Sequence, residues 1–201
     1  MCRTSVSGAP TTVKPQASKM STGQRAAVIA FAAVLVGAAV WGITACNRDG
    51  DPASPAAVAS SGDARIVSEE ELAGLTDEAG HQIFWAGPQD DAATEYSIDS
   101  SGNVHVRYLT GGAPAGDPEQ GYLNVGTYPF AGAYDATRKL ASDPELVRVE
   151  EHGGIGFYDP KNRKSVIIAW PEYPDLQVEV YDPVDDRALD FVRGGDIVPV
   201  S

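Results

Sequence analysis

Residues 26–43 read AAVIAFAAVLVGAAVWGI, eighteen positions without a charge. As a helix this run is ~27 Å long, close to the ~30 Å hydrocarbon core of a bilayer, and Thr44 and Ala45 close the gap. A helix on a water-soluble core keeps a polar stripe, and this one has none. The run therefore predicts a membrane helix, or the apolar region of an export signal, over 26–45. No other segment limits the possible architectures of the chain as strongly.

Charge is divided about that segment. Arg3, Lys14, Lys19 and Arg25 precede it with no acidic residue, so residues 1–25 carry +4. All 28 Asp and Glu follow it with the other 11 Lys and Arg, giving 11 − 28 = −17. Positive charge on one flank predicts a cytoplasmic 1–25 and a C-terminal part outside the cytoplasm. A −17 domain repels nucleic acid and anionic membrane surfaces, which excludes both as its partners. The two cysteines, Cys2 and Cys46, lie on opposite sides of the apolar run. The exported part thus has no pair of thiols for a disulfide, and its stability has to come from a core.

Two fates are open at the end of the run. Ile43-Thr44-Ala45-Cys46 resembles the lipobox of bacterial lipoproteins, an aliphatic residue and two small ones before the cysteine that receives lipid. That resemblance implies lipid attachment at Cys46. The 25-residue front is long for the charged region of a signal peptide and favours an uncut single-pass helix. A start at Met20 would leave MSTGQR, a front of ordinary length. Both fates give the same topology. Residues 46–65, rich in Ala, Ser, Pro, Gly and Asp, cannot bury a core and read as a disordered linker with a typical span of about 25 Å.

Residues 66–201 read as one extracytoplasmic α+β domain. Ser68 with Glu71 is a capping box and starts a short helix. Tyr96 and Ile98, then Val104, Val106 and Tyr108, alternate with polar residues and make two half-buried strands joined around Gly102. This hairpin sets Glu95 opposite Arg107 and Ser97 opposite His105, on a face expected to be wet. A strand over 122–127 and a helix over about 130–141 follow. The second half repeats the order, with Asp182-Pro183 expected to cap a last helix that Gly194-Gly195 closes. VGTYP (125–129) and VEVYDP (178–183) take matching places. The expected fold is one antiparallel sheet with helices on one face, built as a duplicated β-β-β-α unit.

Signatures of chemistry are sparse. His81, His105 and His152 have no metal-ligand spacing and read as surface residues. No phosphate-binding loop, dinucleotide fingerprint or nucleophile elbow occurs, so no cofactor, metal or catalytic residue is assigned. Asp90-Asp91 and Asp182, Asp185 and Asp186 lack the order of a calcium loop and read as a loop and a helix cap. Lys161-Asn162-Arg163-Lys164 is the only basic cluster after the apolar run, a solvated hairpin tip or a docking point for an anionic partner. Trp85, Trp170 and Tyr173 lie where strands stop. They either close the core or form a stacking surface for sugars or peptides.

HQIFWAGP (81–88), VRYLTGG (106–112), VGTYP and QVEVYDP (177–183) together resemble a family of exported or membrane-anchored proteins of high-GC Gram-positive bacteria without a known activity. The likeness covers about residues 68–200. It implies the domain boundary and an envelope location, and supplies no site residues. The expectation is a membrane-tethered binding module with a cell-envelope partner. An envelope hydrolase using acidic residues and a carrier of an apolar ligand are the alternatives.

Overall fold

Period-two alternation of apolar and polar residues marks several of the longer strands of this domain, and the sheet is built around them. The computed structural model describes residues 64–201; the apolar run, Cys46 and most of the linker lie outside the described residues. Its elements are β1 (Arg65–Ile66), α1 (Glu69–Ala79), β2 (Phe84–Trp85), β3 (Ala92–Ile98), β4 (Val104–Thr110) and β5 (Leu123–Pro129). Then come α2 (Ala133–Leu140), β6 (Val147–Glu151), β7 (Gly154–Asp159), β8 (Asn162–Ala169), β9 (Leu176–Tyr181), α3 (Arg187–Gly194) and β10 (Val198–Pro199). Among the described residues no helix is long and apolar enough to cross a membrane. The fold is α+β, with one eight-stranded antiparallel sheet in the order β1-β3-β4-β5-β9-β8-β7-β6 and a two-stranded ribbon of β2 and β10.

The β3–β4 hairpin has the register that alternation predicts, Glu95 opposite Arg107 and Ser97 opposite His105. Gly102 takes the left-handed conformation (φ 82°) that its turn requires. The capping box of α1 is formed, with Ser68 Oγ accepting from the Glu71 N–H and Glu71 from the Ser68 N–H. At the centre of the sheet β5 and β9 pair with Gly126 opposite Glu179. β4 and β3 extend from one side of that pair, β8 and β7 from the other.

One face of the sheet holds the core. Val104, Val106, Val125, Val166, Val178 and Val180 pack there with Leu72 and Leu75 of α1, Leu189 and Val192 of α3, and Phe84 and Trp85 of the ribbon. Each fully buried aliphatic side chain contributes about 1.5–3 kcal/mol as an upper estimate, enough to hold such a domain without a disulfide.

The helices are not all on one face: α1 and α3 pack on the core side, and α2 does not. Gln177 points away from its core neighbour Val178, and its Nε2 donates to Thr137 Oγ1 of α2 at 2.8 Å. So α2 covers the second face over β7, β8 and β9, opposite α3. Its stripe is narrow and small (Ala133 and Thr137 are its buried residues), which suits the β7–β8 end of that face, where Ile155 and Ala169 are buried. The last helix also starts later than Asp182-Pro183 suggests. Asp182 Oδ1 accepts the Val184 N–H at 2.8 Å and closes a turn, and α3 begins at Arg187 after a left-handed Asp186 (φ 67°).

Candidate functional site

Residues that alternate with the core valines point to the second face, and here they are mostly polar. Cross-strand pairing lines them up in two rows. One is Glu95, Arg107, Asn124, Tyr181 and Ser165; the other is Ser97, His105, Gly126, Glu179 and Ile167. α2 covers one end of this face, and the chain over 111–122 folds across the other.

That second cover is held by one ion pair. Arg107 Nη1 donates to Glu95 Oε1 at 2.8 Å, while Glu95 Oε2 accepts the Gly116 N–H at 2.5 Å. Arg107 Nη2 reaches the carbonyls of Asp117 (3.0 Å) and Glu119 (2.8 Å), and its guanidinium lies over the Tyr122 ring. Glu95 is 1% exposed, Ser97 4% and His105 6%, so the face expected to be wet is buried at these positions. Over Glu95 the cause is the loop that closes on it, while His105 packs against Tyr128 and Asn124. The same burial corrects the surface reading of His105.

Between the two covers the face stays half open. Asn124, Tyr128, Ser165, Glu179 and Tyr181 all keep partial exposure. Glu179 is nonetheless deeply set, and burial raises its pKa above the usual carboxylate range, against the lowering influence of Ser165 and Tyr128. Ser165 Oγ donates to Glu179 Oε1 at 2.5 Å and Tyr128 Oη to Oε2 at 3.2 Å. Gly126 makes this arrangement. A Cβ there would stand 2.7 Å from Tyr128 Oη, so the missing side chain is the space the tyrosine ring occupies.

His105 meets the same ring edge-on, 5.7 Å between centroids. Burial lowers its pKa, which keeps the imidazole neutral at pH 7. Its Nδ1 lies 3.4 Å from Asn124 Nδ2, and Asn124 Oδ1 is buried without a protein partner. Exchanging the amide's two ends would leave its nitrogen unpartnered instead. Either way one hydrogen-bonding valence at the strip is unfilled, which is uncommon for a buried group.

The residues singled out from sequence go elsewhere. Trp85 is 6% exposed and belongs to the core. Trp170 and Tyr173 are half-buried and meet around Phe84, Trp170 stacked on it at 4.8 Å and Tyr173 edge-on at 5.2 Å. Cys46 lies outside the described residues. Asp182 is buried in its turn and Asp186 pairs with Arg163, so the three aspartates do not converge; among the described residues no group of side chains has the form of a metal site. The pairing also occupies Arg163 of the basic cluster. A recess of about 310 Å³ lies between α2 and the β6–β7 hairpin, lined by Tyr134, Arg138, Arg148, Glu150 and Ile155 with Gly153 and Gly154.

Asn124, Tyr128, Ser165, Glu179 and Tyr181 form the strip, with His105 buried beside Tyr128, without any motif in the sequence. The available signals are Gly126 and Glu179 at equivalent places in VGTYP and VEVYDP, and Glu95 facing Arg107. Compared with known proteins, the chain matches no family model, no curated protein and no solved structure.

Proposed function

We propose that this chain is a membrane-tethered, extracytoplasmic binding module, and that its domain takes a cell-envelope partner on the half-open strip of Asn124, Tyr128, Ser165, Glu179 and Tyr181. The tether is the apolar run over 26–43 as a single-pass helix, or lipid on Cys46. Its support is the +4 before that run and the −17 after it.

One observation carries the binding reading. The domain leaves a deeply set carboxylate, and beside it an amide with one buried end unpartnered, on the polar face of a sheet whose other face is a packed apolar core. Such groups cost stability where they serve only packing. A hydrolase of the two-carboxylate type would want two facing acids, whereas Glu95 is committed to Arg107 and the loop. A carrier of apolar ligands would want empty apolar space, and the apolar side is filled by α1, α3 and the ribbon.

The finer fold reading is a duplication. β3-β4-β5-α2 and β7-β8-β9-α3 repeat one order, and helices of 8 residues each follow β5 and β9. The opposite faces of α2 and α3 are then a later departure from the repeat. Membership in the exported Gram-positive family of the resemblance belongs to the same proposal.

The test is a photo-crosslinking residue at Tyr181, with Val184, exposed and off the strip, as the control. In intact cells the reading expects an envelope adduct from position 181 alone. Equal adducts from both positions, or none from 181, overturn it. Protease added outside the cells should reach residues 66–201, and protection until lysis refutes the topology. Cys46→Ser should abolish lipid labelling if the cysteine is lipidated and leave an uncut helix unchanged in mass but for the substitution.

A further inference from the structure

β6 ends the eight-stranded sheet, and among the described residues nothing pairs with its outer edge. An open edge exposes a row of backbone N–H and C=O groups, and proteins commonly guard one with charges that repel an incoming strand. The edge here reads Val147-Arg148-Val149-Glu150-Glu151. Arg148 and Glu150 are exposed, lie on the same face two residues apart, and pair with each other along the strand. Their signs are opposite and symmetric about Val149.

That symmetry has a geometric consequence. In an antiparallel pair of two such strands centred on Val149, Arg148 stands opposite Glu150 of the second copy, and Glu150 opposite Arg148 of the second copy. Moving the centre to residue 148 puts arginine against arginine, and moving it to 150 puts glutamate against glutamate. Unlike charges directly across a ladder stabilise it, and like charges oppose it. The edge therefore accepts itself in one register and rejects the neighbouring ones. Val147, 37% exposed at the start of the strand, would be partly covered by the added strand.

We propose that two copies of this chain join edge to edge through β6, continuing the antiparallel sheet across a two-fold axis at Val149. The axis stands perpendicular to the sheet, so both cores stay on one side and both polar strips on the other. Contact is limited to one strand from each copy, which makes the pair reversible. Nothing in this inference depends on the tether or on the strip.

The full-length chain in detergent, labelled with donor or acceptor dyes, tests it by energy transfer and sedimentation. The wild type self-associates as concentration rises. Arg148→Glu and Glu150→Arg each weaken self-association by about tenfold, because each turns two attractive pairs into repulsive ones. Mixing the two variants restores association, since an edge with two glutamates then meets an edge with two arginines. The double variant, with both signs exchanged, associates like the wild type. Both side chains are exposed, so all variants keep the wild-type melting curve. The proposal is overturned if the wild type remains monomeric at about 1 mM, where even a weak pair forms. A dimer that ignores the single swaps, or a mixture that fails to recover, overturns it equally.

Discussion

Arg107→Met removes one charge and keeps most of the side chain's length. The carboxylate it leaves behind, Glu95, is 1% exposed. With Arg107 gone, Glu95 keeps the Gly116 N–H as a donor. Breaking a buried pair from one side costs ~3–5 kcal/mol, because the other charge stays desolvated. The anchors to the Asp117 and Glu119 carbonyls go as well, so the 111–122 cover loosens. Against a total stability of about 5–15 kcal/mol, this is a large share. At this size the melting temperature should fall by on the order of 10–20 °C. The compensating change is Glu95→Gln in the Arg107→Met background, which removes the stranded charge and should recover more than half of the loss. Urea unfolding of the four members of that cycle gives the coupling directly. A single-variant cost under about 1 kcal/mol, the value of an exposed pair, refutes the burial argument. So does a Glu95→Gln change that recovers nothing.

Three further outcomes follow from the site and the core. Glu179→Gln should raise stability at pH 7 and above: a raised folded pKa means the folded state holds the proton longer, so wild-type stability falls as pH climbs from the ordinary carboxylate value through the folded one, and the advantage of the variant should vanish in acid. A variant advantage that grows in acid would reverse that sign. Gly126→Ala should cost about 1–3 kcal/mol by pushing the Tyr128 ring off its seat and away from Glu179, and unchanged tyrosine fluorescence and melting would show the contact to be slack. Trp85→Ala should cost ~3–5 kcal/mol, whereas half-buried Trp170 should cost less, and an equal loss in thermal melts would place both rings in the core.

The elements were largely legible in the sequence because local rules govern them. Alternation fixed which residues of β3 and β4 face each other, and Ser68 with Glu71 marked the start of α1. The start of α3 was not legible. Asp182-Pro183 has the chemistry of a cap and first helical residue, yet the same aspartate can close a turn at Val184, and the chain uses it so. Burial on the second face was hidden for a different reason. Polar alternation says that Glu95, Ser97 and His105 avoid the apolar core, but a Gly/Pro-rich loop that returns over Glu95 and a Tyr128 ring that packs on His105 are long-range events with no periodic signature. The face chosen by α2 was equally hidden, since an amphipathic stripe specifies a partner surface and not a side of the sheet. Alternation in QVEVY sets Glu179 off the apolar core and says nothing of its depth. Its depth arises from Tyr128 and Ser165 on two neighbouring strands.

The central claim is that the second face stays polar for a partner and not for stability. Glu179→Leu separates the two. It removes a buried charge, leaves the hydroxyls of Ser165 and Tyr128 free to meet water at the half-open strip, and replaces the carboxylate with a side chain of similar size. The measurement is the yield of envelope adduct from the photo-crosslinker at position 181 in intact cells, taken alongside the melting temperature. The account predicts a melting temperature equal to or above wild type and an adduct that disappears. An adduct at wild-type yield on a destabilised domain would show that Glu179 serves the fold, and would contradict the claim.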